Sequence, residues 1–581
     1  MSKELYNKAA VWDIEANGWL EDVTEIHCVA ISWNCDATKL YTGSSVPVAL
    51  ERLAEQPCIV GHNIEGYDIP VIQKLYPTWK PKGIVRDTLI MSRLQRVHQM
   101  KEHSLEAWGR LKRNFKGDFK GPWDKYTDEM GRYCVQDTTL NIDVWLDLIA
   151  EDYPEQAIEL EHKFAKVLRR QMQVGTPFDV GAAKIMEKTL RKRYEELHGT
   201  ITKSFPSWEK RSVFVPKRDN KTLGYKKDVP VTKVKTIPFN PGSRDQVVKF
   251  LKQTYKWTPV DFTEKNNPKI GGDILNKLPY KEAPLLAEYF DHKKLLGQLA
   301  DGKAAWLKLA KGGRIHGYVN HNGAVTGRCT HSKPNMAQVP RTSSFMGVEC
   351  RSLIYAPIGH SIVGCDASGL ELRNLAHYLA SYDDGTYAKI VEEGDVHTEN
   401  QMAAGLPTRD DAKTFIYAHN YGAGDAKLGS IVKPAASIEE MKMTGRTLRA
   451  MFMTKIVGLQ ELIGAVKGAA TRRGYLIGLD GRKIWIRSEH KALNSLLQGA
   501  GSVIMKQATV NLWEMYDESG LTGCYPILHV HDEFQSVVPD GHVEAFKRLC
   551  VSAIEKTTVQ FNYRCKLTGE AKHGQSWADT H

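Results

Sequence analysis

Hydrophobic and polar positions along this 581-residue chain change their period several times, and each period predicts an element. Near the N-terminus, residues 11–15 and 25–32 have the composition of two paired strands. Residues 361–366 have the pattern of a buried strand that ends in an acid, and the leucines at 372, 375 and 379 then follow helical spacing. Residues 527–538 predict a hairpin with His531, Asp532 and Glu533 at its bend. The chain thus mixes strands with helices.

Cations and aromatic rings at intervals of four residues predict one face of a further helix. The series is Arg409, Lys413, Tyr417 and Tyr421. Thr408 suits the N-cap of this helix, and Gly422 suits its end. Two cations match a polyphosphate, and two rings match a nucleobase. For this helix taken alone, a solvated charged face with half-buried tyrosines is the alternative interpretation.

Acidic residues in the first 150 positions are spaced so that their side chains converge. Asp13 and Glu15 are two residues apart on a predicted strand, so both leave the same face. They repel each other unless a cation lies between them, and hard oxygen ligands select Mg²⁺ or Mn²⁺. Asp68 also suits the N-cap of the next helix, while Tyr133 and Asp137 are neighbours on another. A surface pair at a strand end remains the alternative for Asp13 and Glu15.

Length and composition limit the classes of protein to consider. A chain of 581 residues is too long for one core and should hold two to four domains. No apolar run has the length of a membrane span, and the N-terminus lacks the apolar core of a signal peptide, which predicts a cytoplasmic protein. Ten cysteines without a Cys-x-x-Cys pair indicate reduced thiols. The net charge of +11 points toward a polyanionic partner.

A basic segment interrupts the middle of the chain. Between Glu209 and Thr236 lie nine lysines or arginines and three acids, with Pro216, Gly224 and Pro230 as breakers. This composition fits an exposed flexible loop or a clamp on the DNA backbone, and the sequence does not decide between them.

The N-terminal acids, in order and spacing, resemble the signature of the DEDD-type 3′–5′ exonucleases, in the subclass that uses tyrosine. The matching residues are Asp13, Glu15, Asp68, Tyr133 and Asp137. The resemblance implies a ribonuclease H-like fold in which the acids bind two divalent metal ions and Tyr133 orients the attacking water.

The C-terminal half resembles family A DNA polymerases, the DNA polymerase I family. Its motifs A, B and C are matched by Asp366–Arg373, Arg409–Gly422 and His531–Glu533, and the strings are most similar to the replicative polymerases of T-seven-like phages. The resemblance implies an α/β multidomain (α+β) protein: an exonuclease domain at 1–152 and a right-hand polymerase domain at 153–581. Within the latter it places the thumb at about 153–310 with a basic insertion at 208–238, the palm at about 311–390 and 500–581, and the fingers at about 391–499.

The resemblance also implies a role for each motif residue. Asp366 and Asp532 would hold two Mg²⁺ ions, with Mn²⁺ as a substitute, and Glu533 would lie beside them. Arg409, Lys413 and His397 would bind the triphosphate of a deoxynucleotide, and Lys413 would also protonate pyrophosphate. Tyr421 would stack near the templating base, and Tyr417 would let the enzyme accept dideoxynucleotides. Glu371 would exclude a ribose 2′-hydroxyl. The primer–template would be bound by Arg328, Gln498 and His531.

Departures from the family pattern and rival functions complete the expectations. The segment at 208–238 is much shorter than the insertion of thioredoxin-binding relatives, so thioredoxin is not expected as a partner. The expected partners are instead a replication helicase, a primase or a processivity factor. If the gene is carried by a phage, the enzyme would act in the host cytoplasm. The rivals are a repair enzyme with one working site, a catalytically dead DNA-binding scaffold, and an RNA polymerase, against which Glu371 argues.

Overall fold

The computed structural model describes residue 6 and residues 8–263, 265–434 and 436–581. The chain divides into two compact units. The first consists of residues 1–178, 311–396 and 456–581, and the second of residues 179–310 and 397–455. Among the described residues, no helix combines the length and apolarity that crossing a membrane requires.

The N-terminal part of the first unit is a mixed sheet flanked by helices. Its elements are β1 Ala10–Ala16, β2 Ile26–Ser32, β3 Lys39–Thr42, α1 Ser45–Ala54, β4 Cys58–Gly61, α2 Asp68–Leu75, β5 Ile84–Asp87, α3 Thr88–Gln95, α4 Leu105–Lys112, α5 Asp128–Ala150, α6 Glu155–Val174 and β6 Thr176–Pro177. The sheet order is β3-β2-β1-β4-β5, with β1 antiparallel to β2 and parallel to β4. The paired strands predicted at 11–15 and 25–32 are therefore present.

Both faces of strand β1 are buried, which explains its apolar composition. Trp12 and Ile14 belong to one hydrophobic cluster with helices α1 and α2. Val11 belongs to a second cluster with α5. Asp13 and Glu15 share the face of Val11, because side chains alternate along a strand. Carboxylates on a doubly buried strand are costly unless a partner compensates them.

The first segment of the second unit begins with a long helix. Its elements are α7 Val180–Ser204, β7 Trp208–Phe214, β8 Val231–Ile237, α8 Arg244–Tyr255, α9 Gly272–Leu275, α10 Ala283–Leu296 and α11 Trp306–Leu309. Residues 175–179 separate α6 from α7. Of the two interpretations of the basic segment, the flexible loop is replaced by an antiparallel hairpin, since β7 and β8 pair over seven residues each.

The chain then returns to the first unit and again enters the second. The next elements are β9 Ala310–Lys311, β10 Arg314–Ile315, β11 Tyr318–Asn320, β12 Thr330–Ser332, α12 Gly347–Ser352, β13 His360–Ala367, α13 Leu370–Leu379, α14 Thr386–Glu393 and α15 Val396–Ala404. The second unit is completed by α16 Arg409–Asn420, α17 Asp425–Val432 and α18 Ile438–Lys455.

Residues 456–581 complete the first unit around an antiparallel sheet. They form α19 Leu459–Arg473, β14 Tyr475–Ile477, β15 Lys483–Trp485, α20 Ala492–Glu518, β16 Tyr525–Val530, β17 Glu533–Pro539, α21 Val543–Gln560 and β18 Gly569–Gly574. The sheet order is β16-β17-β13-β18, so the strand that ends in Asp366 lies at the centre. The predicted hairpin at 527–538 is formed by β16 and β17. The domain limits at 152, 310, 390 and 499 remain predictions.

Candidate active sites

The first acidic site is built on strand β1. Asp13 and Glu15 leave the same face of the sheet, and Glu15 is only 8% exposed. Asp68 is the first residue of α2 and does not cap it, since Tyr67 stands at the N-cap. The backbone groups of Asp68 itself and of Ile14 lie near enough to the Asp68 carboxyl to lower its pKa, against the larger, raising effect of burial. Asp68 therefore lies near the strand residue between Asp13 and Glu15.

Helix α5 supplies the other two predicted residues of this site. Asp137 is buried on α5, one turn from Tyr133, whose side chain lowers the pKa of the Asp137 carboxyl against the larger, raising effect of burial. Lys116, which the sequence did not single out, places its ammonium 2.8 Å from Asp137 Oδ2 and 5.1 Å from the centre of the Tyr133 ring. Asp87, in contrast, caps α3 and accepts bonds from the N–H groups of Asn63 and Leu89. Asp87 is therefore a structural acid, which caps the helix.

The carboxylates of this site repel one another. Burial and the nearby carboxylates of Asp68, Glu15 and Asp137 raise the pKa of Asp13 well above its usual value. Burial first, and then Cys28, Asp137 and Asp68, raise the pKa of Glu15 to about 9. Burial raises the pKa of Asp68 to about 7. Four carboxylates thus converge, and all four could ionise together only beside a compensating cation.

The donor set fits a divalent ion. Within the described residues, Oδ1 of the buried Asp137 has no hydrogen-bond partner. One atom from each of Asp13, Glu15 and Cys134 lies within 4.8 Å of the others. Carboxylate oxygens are the ligands that Mg²⁺ and Mn²⁺ prefer. Cys134 carries a soft sulfur beside these hard ligands, and its thiol points at the backbone oxygen of Asp13, 3.5 Å away.

The second acidic site lies at the end of the central strand β13. Asp366 is paired with Glu533 across β13 and β17, and the N–H of Ala367 donates to the backbone oxygen of Asp532 at 2.9 Å. Partial burial, followed by the charges of Asp532, Glu533 and Glu570, raises the pKa of Asp366 to about 7. Acids separated by more than 160 positions in the sequence therefore meet at one point of the sheet.

The C-terminal residues hold one of these acids. Glu533 is buried and accepts a hydrogen bond from Trp577 Nε1 at 3.2 Å, while its other oxygen lies 3.1 Å from His581 Nε2. Arg351 stacks on the Trp577 ring at 4.3 Å. The orientation of Glu533 is thus fixed by side chains, whereas Asp366 and Asp532, although partly covered in the case of Asp366, keep side-chain surface in contact with solvent. The sequence carried no local signal for this arrangement.

The three predicted DNA-contacting residues all lie in the first unit. His531 stands at the bend with φ +56°, and the charge of Arg328 is close enough to lower its pKa, after burial, the larger cause. Arg328 follows a turn at Gly327. The backbone oxygen of Gly327 accepts a hydrogen bond of 2.7 Å from the hydroxyl of Ser502 on α20. Gln498 is on the same helix, one residue before Gly499, which faces the backbone of Thr326. Arg328 and Gln498 are half-buried and His531 is exposed.

Glu371 lies in the first turn of α13, five residues after Asp366. The same helix is tied to α20, because Asn374 Nδ2 donates to the backbone oxygen of Leu497 at 2.9 Å. Glu371 is therefore on an element whose position relative to Asp366 is fixed by packing.

The predicted helical stripe is present in the second unit. Thr408 caps α16 by accepting from the N–H of Asp411 at 3.1 Å, and the chain leaves the helix through Gly422 at φ +74°. Arg409 and Lys413 are exposed, and Tyr417 is half-buried. Tyr421 stands just after the last helical residue, at the C-cap, instead of within the helix. The opposite face is buried through Ala412, Phe415, Ile416 and His419. His397 is placed on the preceding helix, α15.

A buried group of charges that the sequence did not predict lies behind the Arg328 turn. Glu161 on α6 is fully buried and contacts Lys506, Arg482 and His321. Arg482 also binds Asp480, with 2.6 Å between Nη2 and Oδ2, and its Nη1 occupies the space beside Gly327. The members of this group are far apart in the sequence, so no local spacing predicts that they meet.

Comparisons with known proteins agree with this geometry. The profile of DNA polymerase family A matches residues 225–579. The chain is 32% identical to the DNA-directed DNA polymerases of Enterobacteria phage T3 and Escherichia phage T7, over 98% of this chain and 100% of each relative. The solved POL domain of Pol1 from M. smegmatis, in complex with DNA primer-template and dNTP, has a TM-score of 0.75 at 17% identity, and the match covers 98% of this chain and 96% of that chain.

The chain therefore belongs to DNA polymerase family A. The expected multidomain α/β fold is confirmed, and the enzyme is a DNA polymerase similar to those of the T3 and T7 phages. Members of the family depend on divalent metal ions, which fits the acidic composition of both sites.

Proposed function

We propose that this enzyme replicates a phage-type genome, adding deoxynucleotides to a primer 3′ end at one site and removing mispaired 3′ nucleotides at the other. The observation that carries the proposal is the presence of two separate groups of mutually repelling carboxylates. One group is built on β1, α2 and α5, and the other on β13 and the bend before β17. The proposal includes a location in the host cytoplasm, which the similarity to phage polymerases supports.

At the polymerase site, Asp366 and Asp532 would hold two Mg²⁺ ions, with Mn²⁺ as a substitute. The chemistry that such ions supply when bound is activation of the attacking oxygen and neutralisation of phosphate charge. Glu533 completes the acidic group, and its bonds to Trp577 and His581 keep it in place. Phosphoryl transfer depends on alignment and charge more than on covalent chemistry, so fixed side chains suit this site.

Residues of the second unit would bind the incoming nucleotide. Arg409, Lys413 and His397 contact the triphosphate, and Lys413 also gives a proton to the leaving pyrophosphate. Tyr421 stacks near the templating base, and Tyr417 lets the enzyme accept dideoxynucleotides. The exposed cationic stripe on α16 supports these roles, because fixed cations match a polyphosphate.

Residues of the first unit would select and hold the other substrates. Glu371 excludes a ribose 2′-hydroxyl and so favours deoxynucleotides. Arg328, Gln498 and His531 contact the primer–template duplex. Their support is the turn that joins Arg328 to α20 and the proximity of Arg328 to His531.

At the exonuclease site, Asp13, Glu15, Asp68 and Asp137 would hold a second pair of Mg²⁺ ions. Tyr133 orients the water that attacks the phosphodiester, and its position one helical turn from Asp137 supports that role. Lys116 forms an ion pair with Asp137, which lowers the pKa of that carboxyl against the larger, raising effect of burial. Lys116 thus helps to keep one ligand in the anionic form.

Two single substitutions test the assignment of the two sites. Asp13→Ala should abolish removal of 3′ nucleotides and leave primer extension intact, while Asp532→Ala should do the reverse. The matched control is Asp540→Asn, since Asp540 lies at the opposite end of the palm sheet, where it accepts the Ser361 hydroxyl at 2.8 Å. Primer extension and 3′ excision are measured on one labelled duplex with Mg²⁺.

Each rival function predicts a different result in these assays. A repair enzyme with one working site would show only one activity in the wild type. A scaffold would bind DNA and show neither, and an RNA polymerase would use both sugar types equally. Extension with and without host extract tests for a helicase, primase or processivity factor, and added thioredoxin should have no effect.

A further inference from the structure

The basic hairpin of the second unit has two different faces. β7 and β8 pair only with each other among the described residues, and Trp208 and Ile237 stand opposite each other at its base. Trp208 packs against the hydrophobic cluster of Phe205 and Phe239, and Lys249 lies over its ring at 5.0 Å. The base is therefore anchored in a core, while most of the strand residues beyond it are exposed.

The register of the hairpin gathers like charges on one face. Lys210 is directly opposite Lys235, and Lys233 is opposite Ser212 on the same face, because side chains alternate along each strand. This face, which we call the cationic face, carries Lys210, Lys233 and Lys235 and no acid. The hairpin's other face holds Glu209 and Arg211, which form an ion pair at 3.3 Å. Like charges directly opposite each other destabilise a sheet, so the cationic face is arranged at a cost to the fold.

Aromatic rings hold part of the cationic face in position. The Lys233 ammonium lies 4.1 Å from the centre of the Phe214 ring and 5.3 Å from that of Tyr225. The two rings contact each other at 5.6 Å. These contacts restrict the lysine before any ligand arrives, which reduces the entropy lost on binding.

We propose that the cationic face binds the sugar–phosphate backbone of DNA without reading its bases. Lysines two residues apart on a strand are about 7 Å apart along it, which suits the regular row of phosphates on a polyanion. Phosphates on this face would relieve the repulsion between Lys210 and Lys235. DNA is favoured as the occupant by this charge complementarity and by membership of a DNA polymerase family. The inference rests on the proposed function, because it takes the primer–template as the substrate.

Counterion release gives the expected size of the effect. Each phosphate contact contributes about 0.9 to the slope of log affinity against log salt, so three contacts contribute about 2.7. Between 50 and 200 mM salt, such contacts account for about a 40-fold loss of affinity. The variant Lys210→Gln with Lys233→Gln and Lys235→Gln should show a salt slope lower by about that amount.

The experiment measures the affinity of the full chain for a primer–template duplex by fluorescence anisotropy over this salt range. Arg211→Gln is the control, since Arg211 lies on the opposite face and is paired with Glu209. The triple variant should add fewer nucleotides per encounter in the presence of a DNA trap, while its rate of single addition at saturating duplex stays unchanged. Its thermal midpoint at low salt should equal or exceed that of the wild type, because repulsion is removed.

The outcomes separate this inference from the proposed function. A wild type that extends no primer contradicts the proposed function. A wild type that extends normally, together with a triple variant of unchanged salt slope and unchanged product length, overturns the DNA role of the hairpin alone. If the slope is unchanged but the wild type binds a poly-glutamate peptide through these lysines, the occupant is an acidic protein segment, and the proposal is again wrong.

Discussion

Replacing Glu161 with glutamine should lower the free energy of unfolding more than most other replacements of an acid by its neutral amide in the first unit. Glu161 and Asp480 supply two buried anions, and Arg482 and Lys506 supply two buried cations, so the group is balanced when His321 is neutral. Burial, its largest cause, lowers the pKa of His321, which favours that neutral form. Glu161→Gln leaves one cation without a counter-charge in a site from which water is excluded. Breaking a buried pair from one side costs about 3–5 kcal/mol of unfolding free energy.

The assay compares urea unfolding of three variants by tryptophan fluorescence. Adding Lys506→Met to Glu161→Gln restores the charge balance and places an apolar chain near the Phe164 ring, 5.6 Å from the lysine it replaces. This double variant should recover most of the lost free energy. The control is Glu514→Gln, which removes an exposed ion pair between the same two helices, with Lys163 Nζ and Glu514 Oε1 2.8 Å apart. Such a surface pair contributes about 1 kcal/mol or less.

Two results would refute this reasoning. The first is a loss for Glu161→Gln no larger than that for Glu514→Gln. The second is a double variant as unstable as the single one, which would mean that packing and not charge balance sets the cost. Because Arg482 supports the backbone at Gly327, the single variant should also bind primer–template more weakly.

Four further predictions concern the two active sites. Asp366 has a folded pKa of about 7, above its ordinary value of 3.8, so its ionisation destabilises the metal-free fold increasingly from about pH 4 and fully above pH 7. Asp366→Asn should therefore raise the thermal midpoint in EDTA more at pH 8 than at pH 5, and an equal gain at both would contradict the cause. Because the pKa of Glu15 is about 9, Mg²⁺ binding at pH 7.5 should release protons, seen as a heat of binding that depends on the buffer and that changes less with the buffer in Glu15→Gln. Glu371→Ala should increase the ratio of ribonucleotide to deoxynucleotide incorporation, and an unchanged ratio would remove Glu371 from sugar selection. Tyr417→Phe should reduce chain termination by dideoxynucleotides in a primer-extension ladder, while incorporation of ordinary nucleotides persists.

Local spacing predicted those parts of the sites that lie on single elements. The intervals of two between Asp13 and Glu15 and of four along α16 reflect strand and helix geometry, and both arrangements are present. Tyr421 follows as the C-cap residue, and its N–H still donates to the backbone oxygen of Tyr417 at 2.9 Å, as in the helix. Positions fixed by regular backbone geometry can therefore be derived from sequence alone.

Contacts between distant segments had no comparable signal. Lys116 lies in an irregular stretch and reaches Asp137 only because of how the chain packs. Glu533 is held by Trp577 and His581, more than forty residues away, and Glu161 by a lysine 345 residues away. The hairpin had a weak local signal, since Val231–Ile237 is rich in β-branched residues, which suit a strand. Its basic composition fitted a clamp on the DNA backbone and an exposed flexible loop equally well, so the composition did not predict the hairpin.

Charge balance separates the structural clusters of this enzyme from the surfaces that we propose bind ligands. Around Glu161, anions and cations are equal in number, and every charge has a partner inside the fold. The two acidic sites have an excess of negative charge, and the cationic face of the hairpin has an excess of positive charge. A fold that tolerates such repulsion gains free energy when a ligand of the opposite sign arrives, because the ligand binds the folded state alone. The excess charges of this chain thus match the two ionic components of DNA synthesis, the divalent cation and the polyanionic DNA.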